Sequence, residues 1–457
     1  MATEHEYRQM LERYRKAAQE CRSRFDERIK NYRMGRGEIR LVNEQGEPLR
    51  HAKMEITQKT HAFKFGCNCL MLDQMGSPEK NEEYERRFAE LFNLATTTFC
   101  LCAIQPRPDE YRFAEDSEFI YRRPPADRPV RFAEKYGLAL KGQPLLCDSW
   151  HPTWAPKDAD NIKRIYREFF EKVALRYGDS PYYLWDVVNE AFSCPRRTPD
   201  FPLLDEKFSY VDWAFQEARK LFPQHHVMEL NEGTSQNCGE AAQRYLKLVK
   251  RLMLENVPVE SVGLQMHIFS ADKHMQRQEL DFFDMENTYL AYADLGMPIA
   301  ITEVTVQSAL PDCPRELGEE IQSAILENLY RLWFSAPTMH SITFWNFADG
   351  LAWGKEGNVL GCLLDSQLKP KPSYQKLYQM IHREWNTHEI ITTDEEGVAR
   401  FDGFYGDYEI KWLQDQNLEQ VAYTKTPGAW DVNPNRHIPV GKFSLNKNAI
   451  LQRVTIK

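Results

Sequence analysis

The most constraining feature of this chain is an alternation of short apolar segments with longer amphipathic ones, which runs from residue 62 to about residue 387. Eight of the apolar segments have the length and composition of buried strands, and several of the helix-like stretches between them end in glycine. This alternation is typical of α/β folds in which repeated βα units build a parallel sheet. Because there are eight units, we predict a closed (β/α)8 TIM barrel rather than an open sheet. The predicted strands are AFKFGCN, ATTTFCL, LKGQPLLC, YLWDVVN, HHVMELN, SVGLQMH, PIAITEV and SITFWNF.

Both ends of the chain carry sequence beyond the roughly 250 residues that such a barrel needs. Residues 1–34 have apolar residues at helical spacing, which predicts an amphipathic helix. Residues 35–61 form two alternating runs around Asn-Glu-Gln-Gly, which predicts a β-hairpin, and residues 388–457 contain further short strands and turns. Neither β segment has enough apolar sequence for a core of its own. We therefore predict that the two together form one small accessory β-sandwich.

Composition narrows the classes of partner. The chain has a net charge of −9 with scattered lysines and arginines, so no basic patch for nucleic acid is visible. No apolar run reaches the roughly 18 residues of a membrane-spanning helix, and the first residues do not have the pattern of a signal peptide. The ten cysteines are unevenly spaced, which is typical of a reducing compartment. We expect a cytoplasmic protein without nucleic-acid or membrane partners, and the sequence leaves its oligomeric state open.

Two glutamates stand where predicted strands end. Glu190 in LWDVVNEAF closes the fourth strand, and Glu303 in IAITEVTV closes the seventh. The carboxyl ends of barrel strands meet at one mouth, where the chemistry of such barrels takes place. Two carboxylates that flank a scissile bond are the apparatus of glycoside hydrolysis, and retaining enzymes hold them ~5–5.5 Å apart. Taken singly, each glutamate has a plainer interpretation as a solvated surface residue, but Asn189 places an amide beside Glu190, where it can hold a sugar hydroxyl.

Four motifs occur in a fixed order along the chain: LWDVVNEAF, GLQMHI, ITEV and FWNFADGLAW. Together they resemble family-ten glycoside hydrolases, the family of β-1,4-xylanases, and the similarity extends over about residues 63–381. The resemblance implies that Glu190 is the acid/base and Glu303 the nucleophile, and that Asn189 binds the sugar 2-hydroxyl. It also implies substrate-binding roles for Gln265 and His267 beside the nucleophile, and for Trp345 and Trp353 around the glycone sites.

Other positions depart from the pattern of that family. Its second strand normally ends in Glu-Asn-x-Met-Lys, whereas here Phe99 and Cys102 stand where the Asn and the Lys would fall. Its third strand normally reads Gly-His-Thr-Leu-Val-Trp-His, and here Gln143, Cys147 and Asp148 replace the His, Trp and His. We predict that Gln143 and Asp148 bind substrate in an altered glycone pocket. Weak or no action on polymeric xylan is therefore expected.

Further residues near the predicted mouth have two possible interpretations. Trp150 and Asn231 are predicted to bind substrate, although Trp150 could equally seal the barrel mouth. The run RRPPADR at 122–128 is interpreted as a loop that leads into a helix, with a substrate role for its arginines as the alternative. Cysteines on three adjacent predicted strands would suit a thiolate metal site, but simple packing is favoured. They are Cys67, Cys69, Cys100, Cys102 and Cys147.

The sequence thus favours a retaining glycoside hydrolase that uses double displacement and needs no metal or organic cofactor. The expected partner is an oligosaccharide or a small β-glycoside, with xylo-oligosaccharides or related short β-linked glycans as the leading class. One alternative is a β-glycosidase that acts on a non-xylan plant glycoconjugate. A second alternative is a glycan-binding protein that has lost catalysis.

Overall fold

A computed structural model describes residues 2–233, 237–271, 273, 282–352, 354–413, 440–447 and 452–455. The chain divides into two compact units, one formed by Met1–Asp26 with Lys64–Tyr378 and the other by Glu27–Phe63 with Gln379–Lys457. Among the described residues, no helix is both long enough and apolar enough to cross a membrane.

The strands, in chain order, are β1 (Met34–Val42), β2 (Lys53–His61), β3 (Lys64–Asn68), β4 (Leu94–Thr98), β5 (Ala139–Gln143), β6 (Tyr182–Asn189), β7 (Val227–Gly233), β8 (Ser261–Ile268), β9 (Ile299–Val306), β10 (Met339–Phe344), β11 (His388–Thr392), β12 (Val398–Phe404), β13 (Gly406–Leu413), β14 (Val440–Leu445) and β15 (Gln452–Thr455). The described α-helices are α1 (Glu4–Arg33), α2 (Pro78–Leu91), α3 (Leu101–Ile104), α4 (Asp127–Tyr136), α5 (Ala159–Tyr177), α6 (Cys194–Arg197), α7 (Ser209–Leu221), α8 (Gly239–Leu254), α9 (Phe282–Asp294), α10 (Arg315–Ser335), α11 (Gly354–Asn358) and α12 (Pro372–Gln379).

Strands β3 to β10 form a closed parallel barrel, in which each strand pairs with its neighbours in sequence and β10 pairs with β3. The predicted (β/α)8 fold and all eight predicted strands are confirmed. These strands read as apolar runs because helices cover the outside of the barrel and side chains fill its inside. Every residue of β9 is buried, for example.

One layer of the barrel interior is ionic. The Lys141 ammonium lies 2.9 Å from an Asp186 oxygen and 2.5 Å from a Glu229 oxygen, and all three residues are buried. Burial raises the pKa of Asp186 well above its ordinary value, and the adjacent Glu229 charge adds to this effect. Although burial opposes it, the charge of Lys141 lowers the pKa of Glu229. Lys141 thus lies between two buried carboxyl groups whose pKa values are shifted in opposite directions.

The second unit contains two sheets, with strand orders β12-β1-β15 and β11-β2-β13-β14. Apolar side chains from both sheets form one core, which includes Ile39, Met54, Ile56 and Phe401. The prediction that both chain ends build one accessory β-structure is confirmed. The predicted hairpin is wrong, because β1 pairs with β12 while β2 pairs with β11 and β13. The turn after β1 leads the chain from one sheet to the other, so that the two strands cover opposite sides of the shared core.

Candidate active site

Glu303 lies in the C-terminal half of β9, and only 6% of its side chain is exposed. Its Oε1 atom accepts hydrogen bonds from the side-chain amides of Gln143, Asn231 and Gln265, the last two at 3.0 Å. His267 Nε2 lies 3.2 Å from Oε2. Amide donors from three different strands therefore hold one oxygen, whereas within the described part of the chain only the imidazole reaches the other.

Glu190 follows β6 and has left-handed backbone angles (φ 56°, ψ 47°), a conformation uncommon for residues other than glycine. Its backbone N–H donates to Asn231 O at 2.9 Å, which fixes the turn that presents the side chain. Gln265 Nε2 lies 3.0 Å from Oε1 of Glu190 and also 3.0 Å from Oε1 of Glu303. Because one nitrogen contacts both oxygens, these oxygens cannot be farther apart than twice that distance.

Two asparagines connect the glutamates. Asn231 Nδ2 donates to Asn189 Oδ1 at 2.9 Å, and Thr302 Oγ1 donates to Asn231 Oδ1 at 2.6 Å. Gly263 pairs with Asn231 across β7 and β8, and a Cβ atom at position 263 would lie only 2.5 Å from Asn231 Oδ1. The absence of a side chain at Gly263 therefore leaves the space that the Asn231 amide occupies.

His267 is held from both sides. Its Nδ1 lies 3.0 Å from Thr305 Oγ1, and the Phe269 ring stacks on the imidazole with 5.1 Å between centroids. Burial opposes protonation, but the hydrogen bond and charge of Glu303 outweigh it and raise the pKa of His267, with a smaller effect of Glu356. Thr305 thus supports the ring nitrogen of His267 that does not contact Glu303.

Asp148 is connected to Glu190 through Arg197, a residue at the end of α6 that the sequence analysis missed. The guanidinium of Arg197 contacts Glu190 Oε2 through Nη1 and lies 2.5 Å from Asp148 Oδ1 through Nη2. Thr198 Oγ1 donates to the other oxygen of Asp148 at 2.6 Å. The only sequence signal was a pair of arginines shortly after Glu190, and nothing in that spacing indicated their partners.

Of the predicted aromatic residues, Trp150 and Trp345 lie around this network rather than in it. Trp150 is 38% exposed, and the guanidinium of Arg123 lies 4.8 Å from the ring centroid. Trp345 is half-buried, and its backbone N–H donates to Val304 O at 2.8 Å, beside Glu303. Trp353 lies outside the described residues.

A third carboxyl group, that of Glu232, stabilises the turn after Glu190. It is buried and accepts hydrogen bonds from the backbone of Phe192 at 2.9 Å and of Gly233 at 3.0 Å. Burial raises its pKa to about 8 in spite of these donors. Glu232 thus connects the end of β7 to the turn that carries Glu190.

Comparison with known proteins identifies relatives for most of the chain. The sequence model of Glycosyl hydrolase family 10 matches residues 77–380. The anti-sigma-I factor RsgI6 of Acetivibrio thermocellus is 25% identical over 84% of this chain and 46% of its own length. Endo-1,4-beta-xylanase B of Neocallimastix patriciarum is 24% identical over 57% of this chain and 29% of its own length. The chain thus spans less than half of these two curated relatives.

Solved structures support the fold. The crystal structure of native xylanase 10B from Thermotoga maritima superposes with a TM-score of 0.59 and 22% identity, and the match covers 71% of this chain and 96% of that one. At this identity, the likeness establishes that the two chains share the barrel architecture.

Proposed function

The chain belongs to glycosyl hydrolase family 10, and on this premise we propose that it hydrolyses β-glycosidic bonds by double displacement, with retention of configuration. Glu303 acts as the nucleophile and Glu190 as the acid/base. The proposed substrates are xylo-oligosaccharides or related short β-linked glycans.

The observation that carries this proposal is the position of Gln265 between the two glutamates. It limits the distance between their nearest oxygens to twice 3.0 Å. Retaining enzymes hold the two carboxyl groups about 5–5.5 Å apart, whereas inverting enzymes need roughly 6.5–9.5 Å to accommodate a water molecule. A single amide nitrogen that contacts both carboxylates holds them close together, which supports the retaining arrangement and direct attack by Glu303.

In the first step, Glu303 Oε2 attacks the anomeric carbon, because three amide donors already occupy Oε1. The bond to the leaving oxygen breaks, and the proton of Glu190 passes to that oxygen. In the second step, ionised Glu190 takes a proton from water, and the resulting hydroxyl displaces Glu303 from the sugar. Gln265 and Arg197 both donate to Glu190, an arrangement that suits its ionised form in the second step.

The polar groups around Glu303 support binding of a sugar. The Oε1 atom of Gln143 is buried and has no hydrogen-bond partner among the described residues, so it can accept a bond from a sugar hydroxyl. Asn189 stands beside Glu190, where an amide can bind the 2-hydroxyl. Asp148, which is ion-paired with Arg197, presents a carboxylate at the position where the family pattern has a histidine. The altered polar groups support preference for short or non-xylan β-glycosides over polymeric xylan.

Two further points concern the cellular location of the protein and the alternative functions. All ten cysteines are free, which supports the proposed cytoplasmic location. The Asp148–Arg197 pair favours the alternative of a non-xylan plant glycoconjugate as substrate, because it changes which hydroxyl groups the pocket can bind. The paired glutamates disfavour a glycan-binding protein without activity.

The test is turnover of a panel of aryl β-glycosides by the purified chain, with the anomer of the first product followed by proton NMR. The expected result is a β-anomer first and a covalent adduct on Glu303 when a 2-deoxy-2-fluoro glycoside is used. Glu303→Gln and Glu190→Gln should each lose most activity. Glu286→Gln is the matched control, because Glu286 is a buried glutamate that pairs with Arg24 instead. An initial α-anomer, or equal activity in all variants, would contradict the proposal.

A further inference from the structure

A long loop covers one half of the barrel mouth. It comprises residues 105–126 and connects α3 to α4. Connections in α/β units usually have about 2–6 residues, and longer ones in compact domains are commonly functional. We call this segment the 105–126 loop.

The loop is braced from inside by Arg112, which is fully buried. Its guanidinium donates to Glu118 O at 2.8 Å, to Ala103 O at 2.7 Å and to Arg123 O at 2.9 Å. One side chain therefore fixes three separate points of the loop and of the helix before it. The loop therefore has internal hydrogen bonds of its own, as an ordered structural element does.

The loop is also tied to its neighbours on one side. Tyr121 Oη and Arg122 Nη1 both donate to Leu351 O, at 2.8 Å and 2.9 Å. Arg122 Nη2 donates to Asn346 Oδ1 at 2.7 Å, and the backbone N–H of Arg122 donates to Gln74 Oε1 at 2.7 Å. These contacts join the loop to the segments that follow β10 and β3.

On its other side the loop meets the segment after β5. The guanidinium of Arg123 lies over Trp150, and Trp154 Nε1 donates to Gln105 O at 3.0 Å. Since β10, β3, β4 and β5 are neighbours in the barrel, the loop connects the carboxyl ends of four adjacent strands. Glu190 follows β6 and Glu303 lies in β9, so both are outside this half.

The covered half comes close to Glu303. Asn346 follows Trp345, whose backbone N–H bonds Val304 O on the neighbouring strand. Asn346 Nδ2 donates to Glu356 Oε2 at 2.6 Å. Strand β10 is the neighbour of β9, which carries Glu303, so the contact between Arg122 and Asn346 lies beside the next strand end along the barrel.

We infer that the 105–126 loop restricts the glycone to a single sugar, so that the enzyme removes monosaccharides one at a time from the non-reducing end of its substrate. The inference rests on the proposed function, in which the glycone lies on the side of Cys102, Gln143 and Trp345. An endo-acting enzyme needs a cleft that continues past the first glycone sugar, and the loop, which Arg122 holds to Asn346, crosses the strand ends on that side.

The test uses pairs of para-nitrophenyl β-glycosides that differ by one sugar: the xyloside with the xylobioside, and the glucoside with the cellobioside. The expected result is release of nitrophenol from a monosaccharide derivative with a kcat/KM at least about tenfold above that of its disaccharide partner. Release of an intact disaccharide would overturn the inference. Absence of turnover on every pair would instead contradict the proposed function itself.

Oligosaccharides labelled at the reducing end test the direction. The label should remain on a product that is one sugar shorter, and a labelled monosaccharide as first product would show that the loop closes the leaving-group side instead. Arg122→Ala should lower the preference for the monosaccharide derivative about tenfold. Tyr121→Ala, which removes another contact of the same loop, is the second variant if the first does not fold. Arg107→Ala is the matched control, because this arginine of the same loop is exposed and pairs only with Glu110 and Glu118 among the described residues. An unchanged preference in a folded Arg122→Ala variant would refute the inference.

Discussion

Gly263 offers a sharp test of how the barrel positions its catalytic groups. In Gly263→Ala, the new methyl group would lie 2.5 Å from Asn231 Oδ1 and 2.7 Å from Thr302 Cγ2. The backbone of β8 cannot move away freely, because Gly263 is registered with Asn231 on one side and with Ala300 on the other. The Asn231 amide must therefore rotate.

Rotation of that amide breaks a defined set of contacts. Asn231 loses its 3.0 Å bond to Glu303 and its 2.9 Å bond to Asn189. Loss of one preorganised donor at a charged catalytic atom typically lowers kcat by about 10²–10³-fold. Overpacking of a filled interior costs about 1–3 kcal/mol, so Tm should also fall, by roughly 2–6 °C.

The assay is kcat/KM on the best aryl β-glycoside, together with Tm, for Gly263→Ala, Asn231→Ala and the double variant. If the methyl group acts through Asn231, removal of that side chain makes room for it. The double variant should then be no less active than Asn231→Ala alone, a strong departure from additivity. Normal activity in Gly263→Ala, or additive losses in the double variant, would refute the reasoning.

Three further outcomes are expected. Lys141→Met leaves the buried Glu229 charge uncompensated and should cost about 3–5 kcal/mol of unfolding free energy, and adding Glu229→Gln should recover most of it in denaturant titrations. Arg197→Met removes the cation that favours ionised Glu190 in the second step and should lower kcat about tenfold or more, whereas Arg197→Lys, which keeps the charge but not the planar guanidinium fork, should fall in between. The pKa of His267 is raised in the folded state, so its stabilising effect is fully present below about pH 6.5 and is lost as pH rises through the folded value. The Tm difference between the wild type and His267→Asn should therefore be larger at about pH 5.5 than at about pH 8.5, and an equal difference at both would contradict this.

The sequence by itself determined the barrel and the position of the glutamates along it. Apolar strands alternate with amphipathic helices throughout residues 62–387, and this period specifies which segments are buried on both faces. Glu190 directly follows one such run and Glu303 lies in the C-terminal half of another, so both had to reach the same end of the barrel. Local pattern suffices here because barrel closure places all strand ends together.

Only the tertiary structure decided which side chains meet there and which strands pair at the chain ends. Arg197 contacts Asp148 across 49 positions of sequence, and Arg122 contacts Asn346 across 224. The turn at Asn43–Gly46 looks like that of a hairpin, yet it directs β1 and β2 into different sheets, because two facing sheets can bury a core that one hairpin cannot. Such contacts depend on how separate segments pack in space, and the residue periodicity of a single segment carries no information about its distant partners.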